Sequence, residues 1–499
     1  SGTAVSNLHP AVSEADAASI PLLVISADRP HELVGTGASQ TTEQTGLFAP
    51  ALRLGIDLPA DLAADLGDGA ADAAITGQVR RAVVAATGAL SRDPGPVQIN
   101  ARFRPPLTAD GAVPAVPTRP GPPAATASRA AVPARALVVD DRQQAGHGSP
   151  SVGRGLVVAG DTAHPAVGAL ARSLAEHLDW PLLAEPTSQA RSGTQALIRY
   201  AELLGTPAGL ALTERTDHLL VLGHPSLSRS VTALLGREDL DITVLTEHAR
   251  WTDVPGRARR IIPVDGPDQE PVDDVALQAV RLVAALGLER ADAAWTDSWR
   301  QAVADLPDPG RFSSADAVVR AAWEASLAPD TPTLLLGSSM TVRRLDRLAQ
   351  PGGAAPKAVA NRGLAGIDGT IATGIGLWMA SGRPVRAVMG DLAFLHDAMS
   401  MSRGVREEEP DLQVIVVDDG GGAIFSHLEY AHTTPSGRFE RLFTAPQCAS
   451  IAALATALGA RVHVPDDVAA LRRLLAEPVD GLSVVVWETT RHGPHAVTT

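Results

Sequence analysis

The chain has 499 residues, 45% hydrophobic and 20% charged, with 42 basic against 56 acidic side chains and a net charge of −14. Such a balance is globular and leaves room for about three domains at the usual ~100–200 residues each, while 3% aromatic residues and an acidic excess lack the basic face and stacking platforms of a nucleic-acid binder. One cysteine, Cys448, excludes an intrachain disulfide and a multi-cysteine metal site and fits a reducing cytoplasm, and no apolar run reaches the ~18 residues of a membrane span.

The sequence opens at Ser1-Gly2-Thr3 with neither an initiator Met nor a signal-like segment, which reads as a protein whose start lies upstream. Ala11 to Ala18 reads as a helix feeding Leu22-Leu23-Val24-Ile25-Ser26, a short apolar run of the kind that forms a buried parallel strand. Gly95 to Asn100 reads as the last strand of this first unit. Between Arg104 and Arg135 stand eight prolines among Ala, Thr and Gly, a composition that stiffens a linker and builds no core. Beyond it, Leu156–Ala159, Leu219–Leu222, Ile242–Leu245 and Ile261–Val264 recur as strands, with a helix from Ala166 to Leu178 whose apolar residues fall on one face. From about Phe312 a third unit begins: a helix, then strands at Leu334–Gly337, Val385–Met389, Leu412–Val417 and Ser483–Trp487. The fold class predicted is α/β, three doubly wound parallel-sheet domains in series, at 1–107, 151–305 and 306–499, with a proline-rich linker at 108–150.

Two strand ends in the third unit carry the chemistry. One runs into Gly390-Asp391-Leu392 and another into Asp418-Asp419-Gly420-Gly421-Gly422, so two carboxylates stand just past two strands of one parallel sheet. Ligands of open α/β sheets bind beyond those ends. Carboxylates and the carbonyls of a glycine turn are hard oxygen ligands suited to Mg²⁺ (or Mn²⁺), and glycines let backbone approach a metal-bridged diphosphate. A hydrophilic turn with no ligand is the plain alternative.

Gly390-Asp391 followed 28 residues later by Asp419, within Val-Val-Asp-Asp-Gly-Gly-Gly-Ala-Ile-Phe, resembles the metal–diphosphate motif of thiamine diphosphate enzymes. Four stretches more particularly resemble the 2-succinyl-5-enolpyruvyl-6-hydroxy-3-cyclohexene-1-carboxylate synthases, the MenD family of menaquinone biosynthesis. They are Ser1 to Leu8, Ala27-Asp28-Arg29-Pro30-His31-Glu32-Leu33 with Gly35 to Gln40, Asn361-Arg362-Gly363-Leu364-Ala365-Gly366-Ile367-Asp368-Gly369-Thr370, and Gly390 to Asp397. The resemblance implies that 1–107 is a pyrimidine-binding domain lacking its first part, activating glutamate included, and that 306–499 is the diphosphate-binding domain. It implies that Asp391, Asp419 and the Gly421 carbonyl hold the metal, and that Ser339, Gly390 and Leu392 hold the diphosphate. Ile367 would support the bent cofactor and Phe425 line its pocket; core packing is the ordinary fate of such residues. Arg29, Gln40, Arg343 and Arg362 would bind the carboxylates of 2-oxoglutarate and isochorismate, since a guanidinium fork pairs with a carboxylate bidentately. The implied activity is decarboxylation of 2-oxoglutarate and conjugate addition to isochorismate, by a cytoplasmic homodimer or homotetramer. The residues also admit another thiamine diphosphate carboligase or decarboxylase, of the acetolactate synthase kind, or a catalytically silent ligand-binding paralogue. Departures from the family pattern fall at Ser39, Ser338, Met340, Asp418, Gly420 and Ala398 to Met401.

Overall fold

A computed structural model describes residues 1–105, 107, 137–138, 153–264, 275–308, 310, 312–328 and 330–489. Apart from Leu137 and Val138, the expected proline-rich linker at 108–150 lies outside the described residues. The chain divides into two compact units, Ser1–Arg135 with Glu247–Arg250, and Ala136–Thr246 with Trp251–Thr499.

In the first unit, Leu22–Asp28, Pro96–Arg102 and Leu54–Leu58 form a parallel sheet with Pro96–Arg102 in the middle. Leu22–Ser26 lies in a parallel strand as expected, but the expectation that it is buried is corrected to burial on one face. Val24 packs with Val5, Val12 and Phe48, whereas Leu23 and Ile25 are 41% and 73% exposed, because this is an edge strand covered on one face only by the described residues of its unit. The middle strand carries polar side chains into a closed network. Asn100 donates to Asp28 and Asp57, and Arg102 pairs with Asp28 at 3.1 Å and with Asp57 at 3.0 Å. These four side chains pair with one another and hold the strand end that presents Arg29, while Gln98 on the same strand keeps a buried Oε1 with no hydrogen-bond partner among the described residues.

The second unit contains two sheets. In one, the strand order is Leu137–Val138, Ala258–Pro263, Asp241–Thr246, His218–Leu222, Gly155–Ala159 and Leu182–Ala184, parallel except for its first, antiparallel edge strand. In the other, the order is Ala358–Val359, Thr333–Leu336, Val385–Gly390, Leu412–Asp418, Leu482–Glu488 and Arg461–His463, parallel throughout. Its strands are mostly apolar on both faces because both are covered, the exceptions including Arg386 and Gln413, buried on neighbouring strands and hydrogen-bonded to each other at 2.8 Å. Leu334, Val388, Ile415 and Val485 join a layer with helices Ser314–Glu324, Met340–Leu348 and Val468–Ala476, and Leu335, Ala387, Val414 and Val484 face the layer of Thr370–Ser381, Asp391–Asp397 and Ile451–Ala457. The described residues thus form three mainly parallel sheets with helices packed on them. In the last sheet the connections leave in opposite directions from two neighbouring strands, Thr333–Leu336 and Val385–Gly390. Their carboxyl ends flank the crevice where such sheets bind ligands.

Candidate active site

Gly337 ends one flank of that crevice, and its amide donates to Val388 O on the other at 2.8 Å. A Cβ on Gly337 would lie 3.2 Å from the Met389 Cβ, so a small residue lets the two strand ends meet. Ser339 follows as the N-cap of helix Met340–Leu348, with no side-chain capping bond of its own. Across the crevice, Gly390 caps helix Asp391–Asp397. The loop containing Arg362 is drawn to the same place: Ser338 Oγ donates to Asn361 O, and Asn361 Nδ2 donates to Thr373 Oγ1 at 3.1 Å. Asp397 accepts from the amides of Ile371 and Ala372 at 2.6 and 3.1 Å, which ties the helix after that loop to the helix carrying Asp391.

Asp391 is buried, and its two oxygens accept from the amides of Leu392 at 2.8 Å and Gly421 at 2.6 Å. Burial, with Asp419 and Asp418 adding like charge, pushes its pKa up to about 6. Asp419, reached from the adjacent strand, is likewise raised by burial, and its nearest cation is Arg344 at 3.6 Å. Asp418 ends that strand, with its carbonyl taken by the Thr489 amide at 2.9 Å and a carboxylate oxygen accepting from the Gly420 amide at 3.3 Å. Gly421 has φ 126°, and a Cβ there would stand 2.1 Å from Thr444 O, so only glycine fits the turn. One buried carboxylate, Asp391, crowded by the like charge of the partly buried Asp418 and Asp419 beside a glycine turn, is a donor set that fits a divalent cation.

Arg343 and Arg362 carry the opposite charge. Arg362 is buried; its Nη2 donates to Ser226 Oγ at 2.8 Å, and its Nε has no partner among the described residues. Arg343 Nη1 donates to Leu227 O at 2.6 Å, and burial together with the charge of Arg362 holds its pKa below the usual arginine range. No carboxylate of the described residues stands within ion-pair distance of either guanidinium. Ile367 is partly buried against the apolar layer beside Thr370–Ser381, and Phe425 sits 5.8 Å from Phe443, which stacks on Tyr430 and Phe439. In the first unit, Arg29 follows the strand end and its carbonyl accepts from Arg102 at 3.0 Å, while Gln40 is exposed with φ 55°.

Four buried residues beneath the arginines were not anticipated. Glu185 directly follows strand Leu182–Ala184, and its Oε1 accepts from the amides of Ser226 and Leu227 at 2.8 and 2.9 Å. Arg191 donates to the carbonyls of Ala184, Asp346 and Ala349 at 2.7, 2.7 and 2.9 Å and lies 3.4 Å from the Asp346 carboxylate, which also accepts from Tyr200. Apart from the Ala184 carbonyl, seven residues from Arg191, their partners are 41 to 158 residues away, so no local pattern marks them. Ala-Glu-Pro after an apolar triplet was the one available signal, for Glu185. Burial first, then the charge of Asp346, pushes the Glu185 pKa up to about 8, against the opposing pull of its two amide bonds and Arg362. Between about pH 4.5 and about pH 8 the folded protein therefore keeps a proton that the unfolded chain has released, and stability falls as pH rises through that window. Glu185→Gln, which has no proton to lose, is expected to gain melting temperature relative to the parent at pH 8.5 and to gain little at pH 5. An equal change at both values would contradict a raised pKa.

The model of the "Thiamine pyrophosphate enzyme, C-terminal TPP binding domain" matches residues 338–487, the span of the crevice and its carboxylates, so the protein is an enzyme of the thiamine diphosphate class. Along nearly the whole chain it is similar to curated proteins named 2-succinyl-5-enolpyruvyl-6-hydroxy-3-cyclohexene-1-carboxylate synthase. The one from Kineococcus radiotolerans is 41% identical over 98% of this chain and 83% of its own length. That of Leifsonia xyli subsp. xyli is 38% identical over 97% and 83%, and that of Mycolicibacterium vanbaalenii 35% over 100% and 84%. The chain belongs to the 2-succinyl-5-enolpyruvyl-6-hydroxy-3-cyclohexene-1-carboxylate synthase family, a family of thiamine diphosphate-dependent transferases.

Proposed function

We propose that the protein decarboxylates 2-oxoglutarate and joins the remaining four-carbon unit to isochorismate, in the menaquinone pathway. The observation that carries this reading is the pairing of opposite charges around one crevice: the buried Asp391 with the partly buried Asp419, and two guanidiniums, Arg343 and Arg362, with no carboxylate of the described residues within ion-pair distance. Thiamine diphosphate, when bound, supplies the electron sink for decarboxylation and carbon–carbon bond formation. Asp391, Asp419 and the Gly421 carbonyl would hold its Mg²⁺ or Mn²⁺, with Ser339 and the backbone at Gly390 and Leu392 holding the diphosphate, and Ile367 and Phe425 lining the pocket. Arg343 and Arg362 would bind and orient the dicarboxylates, and Arg29 and Gln40 are proposed for the same role; a buried guanidinium, Arg362, beside the more exposed Arg343 favours a ligand with paired negative charge. The boundaries 1–107, 151–305 and 306–499 are proposed as the pyrimidine-binding, central and diphosphate-binding domains. A homodimer or homotetramer in the cytoplasm is the working assembly, checked by light scattering and cell fractionation. No helix among the described residues is long and apolar enough to cross a membrane.

The test is turnover of the full-length protein with 2-oxoglutarate, isochorismate and pyruvate. Loss of isochorismate absorbance that requires 2-oxoglutarate supports the reading. Carboligation of pyruvate with isochorismate untouched would instead point to an acetolactate synthase-like enzyme. Arg362→Ala and Arg343→Ala should each lower kcat/KM for the dicarboxylates by about ten- to a hundredfold, the loss of a charge-assisted contact of roughly 1.5–3 kcal/mol, and leave thiamine diphosphate affinity nearly unchanged. An equal loss of cofactor affinity would make these arginines structural.

A further inference from the structure

We propose that Glu185 is a positioning residue that sets both substrate arginines through the Ser226–Leu227 turn; this rests on the reading of Arg343 and Arg362 as dicarboxylate binders. Glu185 sits at the carboxyl end of strand Leu182–Ala184, anchored by its own amide to Ala159 O at 2.9 Å. It spans the end of strand Gly155–Ala159 to reach the loop after His218–Leu222, where one carboxyl oxygen takes the amides of Ser226 and Leu227 together. Those two residues then face the arginines. Ser226 Oγ accepts from Arg362, and Leu227 O accepts from Arg343. A single buried acceptor thus fixes a turn whose side-chain oxygen holds one guanidinium and whose carbonyl holds the other. Without it, two buried amides lose their partner and the turn is free to shift, carrying both guanidiniums out of register, and misplacement of about 1 Å is costly to a reaction set by orientation. Glu185 itself stays behind the arginines: its second oxygen is buried and has no hydrogen-bond partner among the described residues.

The role is separable from general stability. Glu185→Ala should raise KM for the dicarboxylates by about tenfold or more, with kcat changed less and thiamine diphosphate affinity within about twofold. Glu185→Gln keeps a carbonyl oxygen for the two amides and should restore most of the lost kcat/KM. In an Arg362→Ala background, Glu185→Ala should cost much less than it does alone, because one of the groups it positions is gone. Fully additive losses, no rescue by glutamine, or a matching loss of cofactor affinity would each overturn the proposal. A readout independent of turnover is phenylglyoxal modification of Arg362, quantified on the peptide by mass spectrometry. It should be slow in the parent and in Glu185→Gln, and several-fold faster in Glu185→Ala and in Ser226→Ala, which removes only the Oγ. If Glu185→Ala fails to fold, Ser226→Ala carries the same test. Unchanged labelling in a folded variant overturns the positioning role, whereas an inactive parent with the expected labelling pattern would sink the assigned reaction and leave the positioning intact.

Discussion

Asp391→Asn is expected to abolish metal-dependent binding of thiamine diphosphate, weakening its Kd in the presence of Mg²⁺ by more than about a hundredfold. The carboxylate is buried and crowded by Asp418 and Asp419, so its charge is held at a cost that only a cation offsets well. Removing one partner of a buried ionic set typically forfeits about 3–5 kcal/mol, beyond a hundredfold in affinity. The metal-free fold should survive. Asparagine accepts one fewer hydrogen bond from the Leu392 and Gly421 amides, about 1 kcal/mol, while a desolvated charge disappears. Calorimetric titration of thiamine diphosphate with and without Mg²⁺ decides the matter. Unchanged affinity in the variant rules Asp391 out as a ligand. Asp418→Asn is the control and should cost little, since Asp418 engages its own turn; a large effect there with a small one at Asp419 would shift the metal ligand by one residue.

Arg191→Ala should be among the most destabilising single substitutions in the second unit, by about 3–5 kcal/mol. Arg191 is 1% exposed and spans two sheets' worth of chain, donating to three carbonyls while facing the Asp346 carboxylate. Truncation leaves that carboxylate, already raised by burial, without its counter-charge and strands the three acceptors away from water. Asp346 lies on helix Met340–Leu348 with Ser339 at its start and Arg343 along it, so loosening this anchor should also weaken cofactor binding at one end and substrate binding at the other. Urea unfolding followed by tryptophan fluorescence and by limited proteolysis would show the change. A loss under about 1 kcal/mol would mean that water or a neighbouring group replaces the guanidinium.

The individual elements of this fold were legible because a parallel strand covered on both faces is a short, mainly apolar run, and Leu334–Leu336, Val385–Met389 and Leu412–Val417 are such runs, interrupted only by Arg386 and Gln413. Where cover is one-sided, as at Leu22–Asp28, the same run misleads about burial: Ile25 is an apolar residue in water. Short strands such as Leu182–Ala184 and Ala358–Val359 escaped notice because two or three residues carry no periodicity.

At the site, Gly390-Asp391 and Asp418-Asp419-Gly-Gly-Gly announced themselves locally, because a strand end that meets an anion or a cation needs glycine and carboxylate within a few residues of each other. The sequence alone therefore determined the class of chemistry and, through the motifs around Arg29, Arg362 and Asp391, the family. Which strand neighbours which was decided only by the tertiary structure, and with it the meeting of Gly337 and Met389, the reach of Glu185 to Ser226 and the grip of Arg191 on Asp346. These contacts join residues tens to hundreds of positions apart and involve polar side chains that, read in sequence, are indistinguishable from solvated ones. Their burial, and so the charge each carries and the partner each requires, exists only once the sheets and helices have closed over them.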